Sequence, residues 1–333
     1  MMKWHEQDQL RGKRQEVERL LGRSVDHVHH SPRSLAYRAR VTMKVNPDGR
    51  LGYHRPRSHQ WTHVPSCAIA REELNAVLEK LPGLPPQLSE VELRSDGKNV
   101  VLAARSNKLR GRRDRSRAAR KKSRQALKAL DIKALGLAGI TLDGEKLSGE
   151  TRLQLLVGGI AHEVSADSFY QVNLEANELL VARVSELIGA LQPTSLLDLY
   201  AGIGNLSLPI AANGIDTVLI EQSKASAGDA ERSLRRHGLK ARIIRGDAGR
   251  FQAGDLFFDV ALLDPPRAGA PGLLTELITT RPRAIFYVSC NPSTLARDLS
   301  SAAAAGYTIS ALELFDMFPQ TEHIETLCRL SPT

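Results

Sequence analysis

The sequence predicts two domains: a β-rich half with inserted helices, then an α/β domain whose parallel sheet is covered by helices on both faces. Three observations support this prediction. A chain of 333 residues is longer than one small core needs. Short segments that alternate apolar and polar residues fill the first half, whereas unbroken apolar runs alternate with helical patterns after about residue 168. We therefore predict an N-terminal domain over 1–167 and a C-terminal domain over 168–333.

The first half reads as helices inserted between short antiparallel strands. Residues 4–22 predict a polar helix with a thin apolar stripe. The segment "YRARVTMKV" has the alternation of a half-buried strand, and a Pro-Asp-Gly turn at 47–49 joins it to "GRLGYH" as a hairpin. Further hairpins are predicted around residues 96–97 and 158–159. This half is therefore expected to be mainly β-structure.

A dense basic run lies within this half, from Arg105 to Arg124. It holds eleven basic residues, and Asp114 alone opposes them within the run. No aromatic residue interrupts it, so it offers contacts to phosphates rather than base stacking. A solvated helix face is the alternative. We expect RNA contact here, with these candidate residues: Arg112, Arg113, Arg115 and Arg117.

Composition narrows the setting in which the protein works. The net charge of +9 favours a polyanionic partner. Three scattered cysteines give no disulfide framework, so we expect a reducing cytoplasm. No apolar run reaches the roughly 20 residues of a membrane helix, and the charged N-terminus lacks the apolar centre of a signal peptide. We expect a monomer without a membrane partner.

The second half shows strand–helix alternation. A helix over "NLEANELLVARVSELIGAL" is expected to begin after Asn173, a good N-cap residue. The predicted strands after it are 195–199, 217–220, 241–244, 260–263, 284–288, 308–314 and 324–329. The predicted helices between them are 205–213, 223–237, 269–279 and 293–304. Ligands in such folds bind at the carboxyl ends of the strands.

The first of these strands leads into a glycine-containing turn, "LLDLYAGIGNLSLPIA". Gly202 and Gly204 permit a tight turn and close approach of the backbone to a ligand. Glu221 ends the second strand about 20 residues on, where an acid can bind ribose hydroxyls. Ser207 replaces the third glycine of the dinucleotide fingerprint, which disfavours a nicotinamide cofactor. The pattern predicts an adenosine-containing ligand.

Two further acids refine this prediction. Asp198 lies on the first strand and Asp247 follows the third. Such acids suit a nucleoside with an amino-acid tail better than a pyrophosphate. We therefore expect S-adenosylmethionine, with a plain α/β turn as the alternative.

The fourth and fifth strands end in groups that suggest covalent chemistry. The fourth ends "LLDPPRAGA", a rigid loop with Arg267 where an aromatic would stack on the target of an amino-methyltransferase. Cys290 follows the fifth strand. A thiolate that adds to C6 of a pyrimidine makes C5 nucleophilic, and a base must then remove the C5 proton. "DMFPQTEHIETL" supplies Glu322, His323 and Glu325 as candidate bases. The alternative for Cys290 is a small buried hydrophobe.

Together these segments resemble the S-adenosylmethionine-dependent RNA uracil-5 methyltransferases, which make 5-methyluridine in tRNA and 23S rRNA. The motifs are "SFYQVN" (168–173), "LDLYAGIGNLSLP" (197–209), "DPPRAG" (264–269), "YVSCNPSTLARDL" (287–299) and "FPQTEHIE" (318–325). The resemblance implies a class I (Rossmann-like) methyltransferase domain preceded by a β-rich α+β domain. It implies Cys290 as the nucleophile and Glu325 as the base, with these cofactor contacts: Gln171, Tyr200, Asn205, Glu221, Asp247 and Asp264.

The chain departs from the family pattern in several places. Many members begin with a small RNA-binding β-barrel, and we expect none here because the segment before the central domain is short. Some bind an iron–sulfur cluster through cysteines of the central region. Only Cys67 lies in that half, so we expect no cluster. His59, His63 and Cys67 are spaced by four, but no fourth ligand is obvious, and we expect no metal. Many members have a cysteine at the position of Ala201, but that cysteine is not the nucleophile.

Two other functions are compatible with parts of this pattern. RNA cytosine-C5 methyltransferases also use a cysteine, but they carry a second one after the proline of the fourth-strand loop, where this chain has Arg267. A catalytically silent RNA-binding factor would not need Cys290, Glu325 and the glycine loop together. The leading prediction is uridine C5 methylation, in 23S rRNA slightly ahead of tRNA.

Overall fold

A computed structural model describes residues 6–333 except 56, 57, 59, 108–112 and 255, with the side chains of 113–116 also left aside. The chain forms two compact units. One comprises the residues up to Ser34 together with 156–162 and 168–333, and the other comprises 35–155 and 163–167. No helix among the described residues is long and apolar enough to cross a bilayer.

The N-terminal segment differs from the predicted division into 1–167 and 168–333. Helix α1 (Glu6–Leu21) buries Leu10 and Val17 in the same core cluster as the C-terminal sheet. Strand β1 (His27–His29) joins that sheet as a parallel edge strand. The first 34 residues therefore belong with the C-terminal unit, a long-range pairing that local patterns do not encode.

The unit over 35–155 and 163–167 is built on a seven-stranded sheet of order β4-β3-β2-β5-β6-β7-β8. The strands are β2 Arg40–Val45, β3 Leu51–His54, β4 Trp61–His63, β5 Leu88–Ser95, β6 Val100–Ser106, β7 Gly139–Leu142 and β8 Glu145–Gly149. The helices are α2 Glu72–Lys80, α3 Arg113–Lys128 and α4 Ile132–Leu135. The predicted hairpins β2–β3 and β5–β6 are confirmed. Helix α3 lies in the crossover between the parallel strands β6 and β7 and buries Leu127.

A predicted hairpin around 158–159 is also present. Strands β9 (Leu153–Val157) and β10 (Ile160–Val164) pair as a two-stranded sheet. Both glycines of the turn have positive φ, 53° at Gly158 and 81° at Gly159, a region that glycine enters without steric cost. A Cβ at Gly158 would also lie only 2.8 Å from Pro209.

The C-terminal unit contains an eight-stranded mixed sheet of order β1-β16-β17-β15-β14-β11-β12-β13. Its remaining strands are β11 Ser195–Leu199, β12 Asp216–Glu221, β13 Ala241–Arg245, β14 Val260–Leu263, β15 Ala284–Ser289, β16 Tyr307–Phe315 and β17 Glu325–Pro332. Its helices after α1 are α5 Leu174–Gly189, α6 Ser207–Ala211, α7 Lys224–His237, α8 Leu273–Thr279 and α9 Pro292–Ala304. All seven strands predicted here are present. Helix α8 starts later than predicted because Gly269 and Gly272 have φ of 73° and 77°.

The central strands explain both the predicted fold class and the position of the site. Strands β14 and β15 are buried at every position, which requires cover on both faces of the sheet. Helices α1, α8 and α9 contribute to the core cluster on one face. The strand order reverses between β11 and β14, because β12 and β13 extend the sheet on one side of β11 and β14 on the other. Such a switch point opens a crevice at the carboxyl ends of the strands.

Candidate functional site

A cavity of about 450 Å³ opens at this switch point. The ends of β11, β12, β14 and β15 all contribute to it, as expected for the carboxyl edge of a parallel sheet. Its lining residues are Phe169, Tyr170, Gln171, Tyr200, Ala201, Gly202, Ile203, Asn205, Glu221, Asp264, Pro265, Pro266, Arg267, Cys290, Phe318 and Glu325. The cavity thus brings together most of the residues that the sequence predicted for the site.

The turn after β11 has the unusual backbone that its glycines suggested. Gly202 and Gly204 have φ of 59° and 79°, and the non-glycine Tyr200 has φ of 64°. Strain of this kind at a non-glycine residue clusters at ligand sites. A Cβ on Gly204 would lie 2.5 Å from Leu208, whereas one on Gly202 would meet nothing within 4 Å. Gly204 therefore permits packing of the following helix, and Gly202 leaves open space at the cavity.

Glu221 links this turn to the end of β12. Its Oε2 accepts a hydrogen bond from the Gly202 N–H at 2.9 Å, and its Oε1 accepts from the Ser223 N–H at 2.6 Å. Two backbone donors fix the carboxylate beside the cavity that it lines. Its remaining acceptor capacity suits paired hydroxyl groups, such as those of a ribose.

Helix α9 explains a motif to which the sequence assigned no function. The Asn291 side chain caps the helix and donates from Nδ2 to the Arg267 carbonyl at 3.1 Å. Asp298 accepts from the Ala270 N–H at 2.8 Å and from the Tyr287 hydroxyl at 2.7 Å. Two more α9 side chains donate to carbonyls of the same loop: Thr294 Oγ1 to Arg267 and Arg297 Nη2 to Ala268. The spacing in "NPSTLARD" places these groups on one helix face. They hold the 264–270 loop beside Cys290.

Cys290 and Glu325 meet because neighbouring strands run in opposite directions. Strand β17 is antiparallel to β15, with Thr326 opposite Ser289. The residue before Thr326 and the residue after Ser289 therefore face each other at the same edge. Cys290 is half-buried and Glu325 is buried, and both line the cavity.

The acids at this edge lie in a medium that disfavours charge. Burial raises the pKa of Asp264 to about 7. Burial, followed by the charge of Asp264, raises the pKa of Glu325 well above its ordinary value. Burial, followed by the charges of Glu325 and Asp264, raises the pKa of the Cys290 thiol to about 11, while Arg267 acts in the opposite direction. Perturbed groups that converge in one cavity are typical of active sites.

Three predicted cofactor residues do not line the cavity. Gly204 acts through packing, and Asp247 is exposed beyond it, accepting from the Gly249 N–H at 3.0 Å. Asp198 lies inside β11 with only 2% of its surface exposed, and its Oδ2 has no hydrogen-bond partner. Burial raises the pKa of Asp198 to about 8; the nearby Ser207 hydroxyl opposes this rise, and the charges of Asp264 and Glu221 add to it. The remaining predicted cofactor residues, Gln171 and Asn205 among them, line the cavity.

The sequence did not identify the aromatic walls of the cavity. Phe169 and Phe318 both line it, although each lies within a quoted motif. Phe169 is 53% exposed, which is unusual for a phenylalanine and marks an open rim. Their positions in the sequence could have indicated them, since Phe169 precedes Gln171 and Phe318 precedes the "TEHIE" segment.

The predicted RNA contacts are only partly described. Arg112 lies outside the described residues, and the side chains of Arg113 and Arg115 are likewise not described. Arg117 is exposed on α3. The fold adds acids that the sequence run did not contain, because Arg120 pairs with Asp143 at 3.1 Å, Arg124 pairs with Glu145, and Arg105 pairs with Asp167. Acids that are distant in the sequence therefore neutralise part of the basic run.

Within the part of the chain that the structure describes, no group of three or more His, Cys, Asp or Glu side chains could hold a metal ion. His63 instead forms a hydrogen bond through Nδ1 with the Leu51 carbonyl at 2.8 Å. His59, the other histidine considered as a ligand, lies outside the described residues.

Comparison with known proteins places this geometry in context. A family model described as tRNA (uracil-5-)-methyltransferase matches residues 247–331. Relatives called 23S rRNA (uracil(1939)-C(5))-methyltransferase RlmD match nearly the whole chain. That of Cronobacter sakazakii is 32% identical over 335 residues, which cover 96% of this chain and 76% of the relative. That of Dichelobacter nodosus is 29% identical, covering 99% of this chain and 80% of the relative.

A solved structure has a similar fold. It is the Pyrococcus abyssi tRNA (uracil-54, C5)-methyltransferase in complex with S-adenosyl-L-homocysteine, which matches with a TM-score of 0.78. The match covers 98% of this chain and 83% of that chain at 22% identity. The predicted α/β fold, with mixed sheets like those of this methyltransferase, is thereby confirmed.

Proposed function

This chain belongs to the RNA uracil-C5 methyltransferase family, and from that premise we propose that it methylates C5 of a uridine in 23S rRNA by covalent catalysis through Cys290. The facing positions of Cys290 and Glu325 at one cavity carry the proposal. The rRNA substrate is favoured because the relatives with 29–32% identity are named as 23S rRNA enzymes.

The residues at the cavity fit S-adenosylmethionine, which supplies an electrophilic methyl group on a sulfonium. Glu221 has acceptor capacity for the ribose hydroxyls beside the open space at Gly202. Phe169 and Phe318 offer apolar walls, and the side chains of Gln171 and Asn205 offer polar contacts. We propose that Asp264 and Tyr200 complete the contacts to the cofactor. Asp247 and Asp198 remain proposed cofactor residues, although neither lines the cavity. Asp247 is exposed beyond the cavity, and Asp198 is buried beneath it.

Cys290 is the proposed nucleophile. Its thiolate adds to C6 of the uracil, and the electron pair of the C5–C6 double bond moves into an enolate that ends at the C4 oxygen. With S-adenosylmethionine bound, C5 would attack its methyl carbon, forming the new carbon–carbon bond while the methyl–sulfur bond breaks and the neutral thioether S-adenosylhomocysteine leaves. Because the pKa of the thiol is raised to about 11, Cys290 holds its proton at rest and must lose it on the way to addition. A cation close by favours the thiolate, and both the sulfonium and Arg267 supply positive charge there.

Glu325 is the proposed base for the final step. It removes the C5 proton, the C5–C6 double bond re-forms, and the thiolate leaves from C6. Burial makes the carboxylate of Glu325 a stronger base than an exposed glutamate, because the pKa of the group is raised. The proton must then be returned to solvent before the next turnover.

RNA binding is proposed to involve Arg267 at the cavity and the exposed basic face of α3. Among described residues, Arg117, Lys121 and Lys122 are exposed and have no ion-pair partner. Arg112, Arg113 and Arg115 extend the same basic run in the sequence. A target base within folded RNA must leave its stack before Cys290 can reach C6.

The test is to incubate the purified protein with S-adenosylmethionine and either 23S rRNA or total tRNA, then digest the RNA and analyse its nucleosides by mass spectrometry. We expect 5-methyluridine in the rRNA only. Product in tRNA alone would overturn the choice of substrate, and 5-methylcytidine or no product would overturn the proposed reaction. A matching gene deletion should remove one 5-methyluridine from the cellular RNA.

A further inference from the structure

The cavity wall formed by Phe318 belongs to an irregular loop over 316–320, between β16 and β17. These residues lie outside both strands, so contacts from other parts of the chain hold them. The same loop leads directly into the segment that carries His323 and Glu325. Whatever fixes the loop therefore bears on the shape of the site.

Lys13 of helix α1 provides the central contact to this loop. Its Nζ donates to Asp316 Oδ1 at 2.8 Å and to the Phe318 carbonyl at 3.0 Å. The pair is buried, with 5% of Lys13 and 4% of Asp316 exposed. A buried lysine is rare unless paired, because removing the ammonium from water costs several kcal/mol. The two contacts join Lys13 to both ends of the stretch from Asp316 to Phe318. Within that stretch Asn173 Nδ2 also donates to the Met317 carbonyl at 3.1 Å, and Thr321 Oγ1 to the Phe318 carbonyl at 2.8 Å.

Other contacts from the N-terminal segment support the same loop. Gln9 Nε2 donates to Gln320 Oε1 at 3.2 Å, and the Gln320 N–H donates to Gln9 Oε1 at 3.0 Å. The Asp316 N–H donates to the carbonyl of His29 at 2.9 Å. Residues from both α1 and β1 thus bind the loop along its length.

The loop is also connected to the reactive side of the cavity. The rings of Phe318 and His323 meet edge to face at a centroid distance of 5.7 Å. One guanidinium nitrogen of Arg267 lies 3.1 Å from the ring nitrogens of His323. A displacement of Phe318 would therefore change the shape of the cofactor cavity and the surroundings of Cys290.

We propose that Lys13 is a positioning residue for the methyl-transfer site: it sets the wall at Phe318 through its bonds to Asp316 and the Phe318 carbonyl. The inference rests on the proposed function, because it assigns the cavity behind Phe318 to S-adenosylmethionine. Helix α1 is then a working part of the methyltransferase unit rather than of an RNA-binding region.

The test separates positioning from simple stabilisation. Lys13→Met alone leaves the Asp316 carboxylate buried without its partner and is expected to lower the melting temperature. The double variant Lys13→Met/Asp316→Leu removes both charges, and such replacements often restore stability. It still removes the Lys13 donor from the Phe318 carbonyl, which then keeps its hydrogen bond from Thr321 Oγ1 at 2.8 Å. Lys13→Arg keeps a cationic donor and is therefore expected to retain part of the cofactor affinity that is lost when Lys13 is replaced by methionine. Arg19→Met, an exposed site on the same helix, is the control.

Calorimetry with S-adenosylmethionine and a thermal melt are run on each protein. We expect the double variant to regain the melting temperature of the wild type but to bind the cofactor about three- to tenfold more weakly, the range for the removal of a charged hydrogen bond. Arg19→Met should match the wild type in both measurements. Wild-type affinity in the double variant would overturn the positioning role.

A second background keeps the test decisive if the double variant is itself unstable. Because Lys13 is proposed to act through Phe318, Lys13→Met should have no further effect on cofactor affinity when Phe318 is already alanine. An unchanged, additive loss of affinity in that background would contradict the inference. If the wild type binds no S-adenosylmethionine at all, the proposed function fails instead, independently of Lys13.

Discussion

The carboxyl edge of the C-terminal sheet and helix α3 are both rich in ionisable groups, but they hold them in opposite environments. At the sheet edge, Asp264, Glu325 and Cys290 are partly or wholly buried, and the pKa of each is raised by burial. On α3, Arg117, Lys121 and Lys122 lie in water. Burial makes the ionisation of these few groups costly, so their protonation depends on specific neighbours, as catalysis requires. Exposed charges instead give an attraction that salt screens.

The comparison also shows why charge density in a sequence is a weak guide. In the sequence only Asp114 opposes the basic run, yet Arg120 and Arg124 pair with Asp143 and Glu145, which the fold brings in from β8 and the turn before it. The acids at the sheet edge are fewer and are far apart in the sequence. They converge because the parallel strands end, and the antiparallel strand β17 begins, at the same edge. The fold rather than the local pattern therefore determines which charges act together.

The largest effect is expected at Cys290. Replacing Cys290 with alanine removes the group that adds to C6, so methylation should fall to the background of the assay. Cys67→Ala is the matched control, since Cys67 lies in the other compact unit. Methyl transfer from labelled S-adenosylmethionine to RNA measures both. Substantial activity in Cys290→Ala would mean that the thiol only packs.

Asp198 should give the buried edge a distinctive dependence of stability on pH. The pKa of Asp198 is raised from 3.8 to about 8, so the folded state keeps a proton that the unfolded state loses. Stability should therefore fall as pH rises through this window, by up to about 1.4 kcal/mol per pH unit from this group. Asp198→Asn should flatten that part of the curve in urea unfolding. An identical slope in wild type and variant would show that Asp198 titrates normally.

Variants of Glu221 and Glu231 compare a carboxylate that is fixed at the cavity with an exposed one. Glu221→Ala removes the acceptor proposed for the ribose hydroxyls and should weaken cofactor binding by about 1–3 kcal/mol. Glu231→Ala, on the exposed side of α7, should leave calorimetric affinity unchanged. Equal affinities for all three proteins would remove Glu221 from the site.

The smallest effect is expected on α3. Arg117, Lys121 and Lys122 have no ion-pair partner among the residues that the structure describes. Replacing them with glutamine should weaken RNA binding and reduce its logarithmic salt slope by about 0.7–0.9 for each phosphate that the variant no longer binds. Replacing Arg120 and Arg124 should change the slope less, because acids already neutralise them. Filter binding at several salt concentrations measures the slopes. A slope that is the same in wild type and both variants would make α3 a solvated face.

Much of the C-terminal unit was predictable because its signals are local. The apolar runs that became β11, β14 and β15 were identified from the sequence, and so was the N-cap at Asn173. Cys290 could be proposed as a nucleophile from its place after a strand, whereas the choice of Glu325 as the base over Glu322 and His323 came from the resemblance to the methyltransferase family.

The features that escaped prediction depend on long-range contacts. Nothing in the sequence around Lys13 indicates its buried pairing with Asp316, more than 300 residues away. The edge strand β1 is too short to be recognised without its partner β16. The role of Asp298 in holding the 264–270 loop needed the helix α9 to be placed beside it. The predicted division into 1–167 and 168–333 missed the grouping of the first 34 residues with the C-terminal unit for the same reason.

The most direct test of the account is to trap the enzyme between methyl transfer and release. Glu325→Gln keeps the shape of the side chain but cannot take the C5 proton, so Cys290 should remain bonded to a methylated uracil. A denaturing gel with labelled RNA and S-adenosylmethionine should then show a slow-migrating protein–RNA adduct, which mass spectrometry should find to carry one methyl group. The adduct should vanish in the Cys290→Ala/Glu325→Gln double variant. Normal turnover without an adduct in Glu325→Gln, or an adduct that persists without Cys290, would contradict covalent catalysis by this pair.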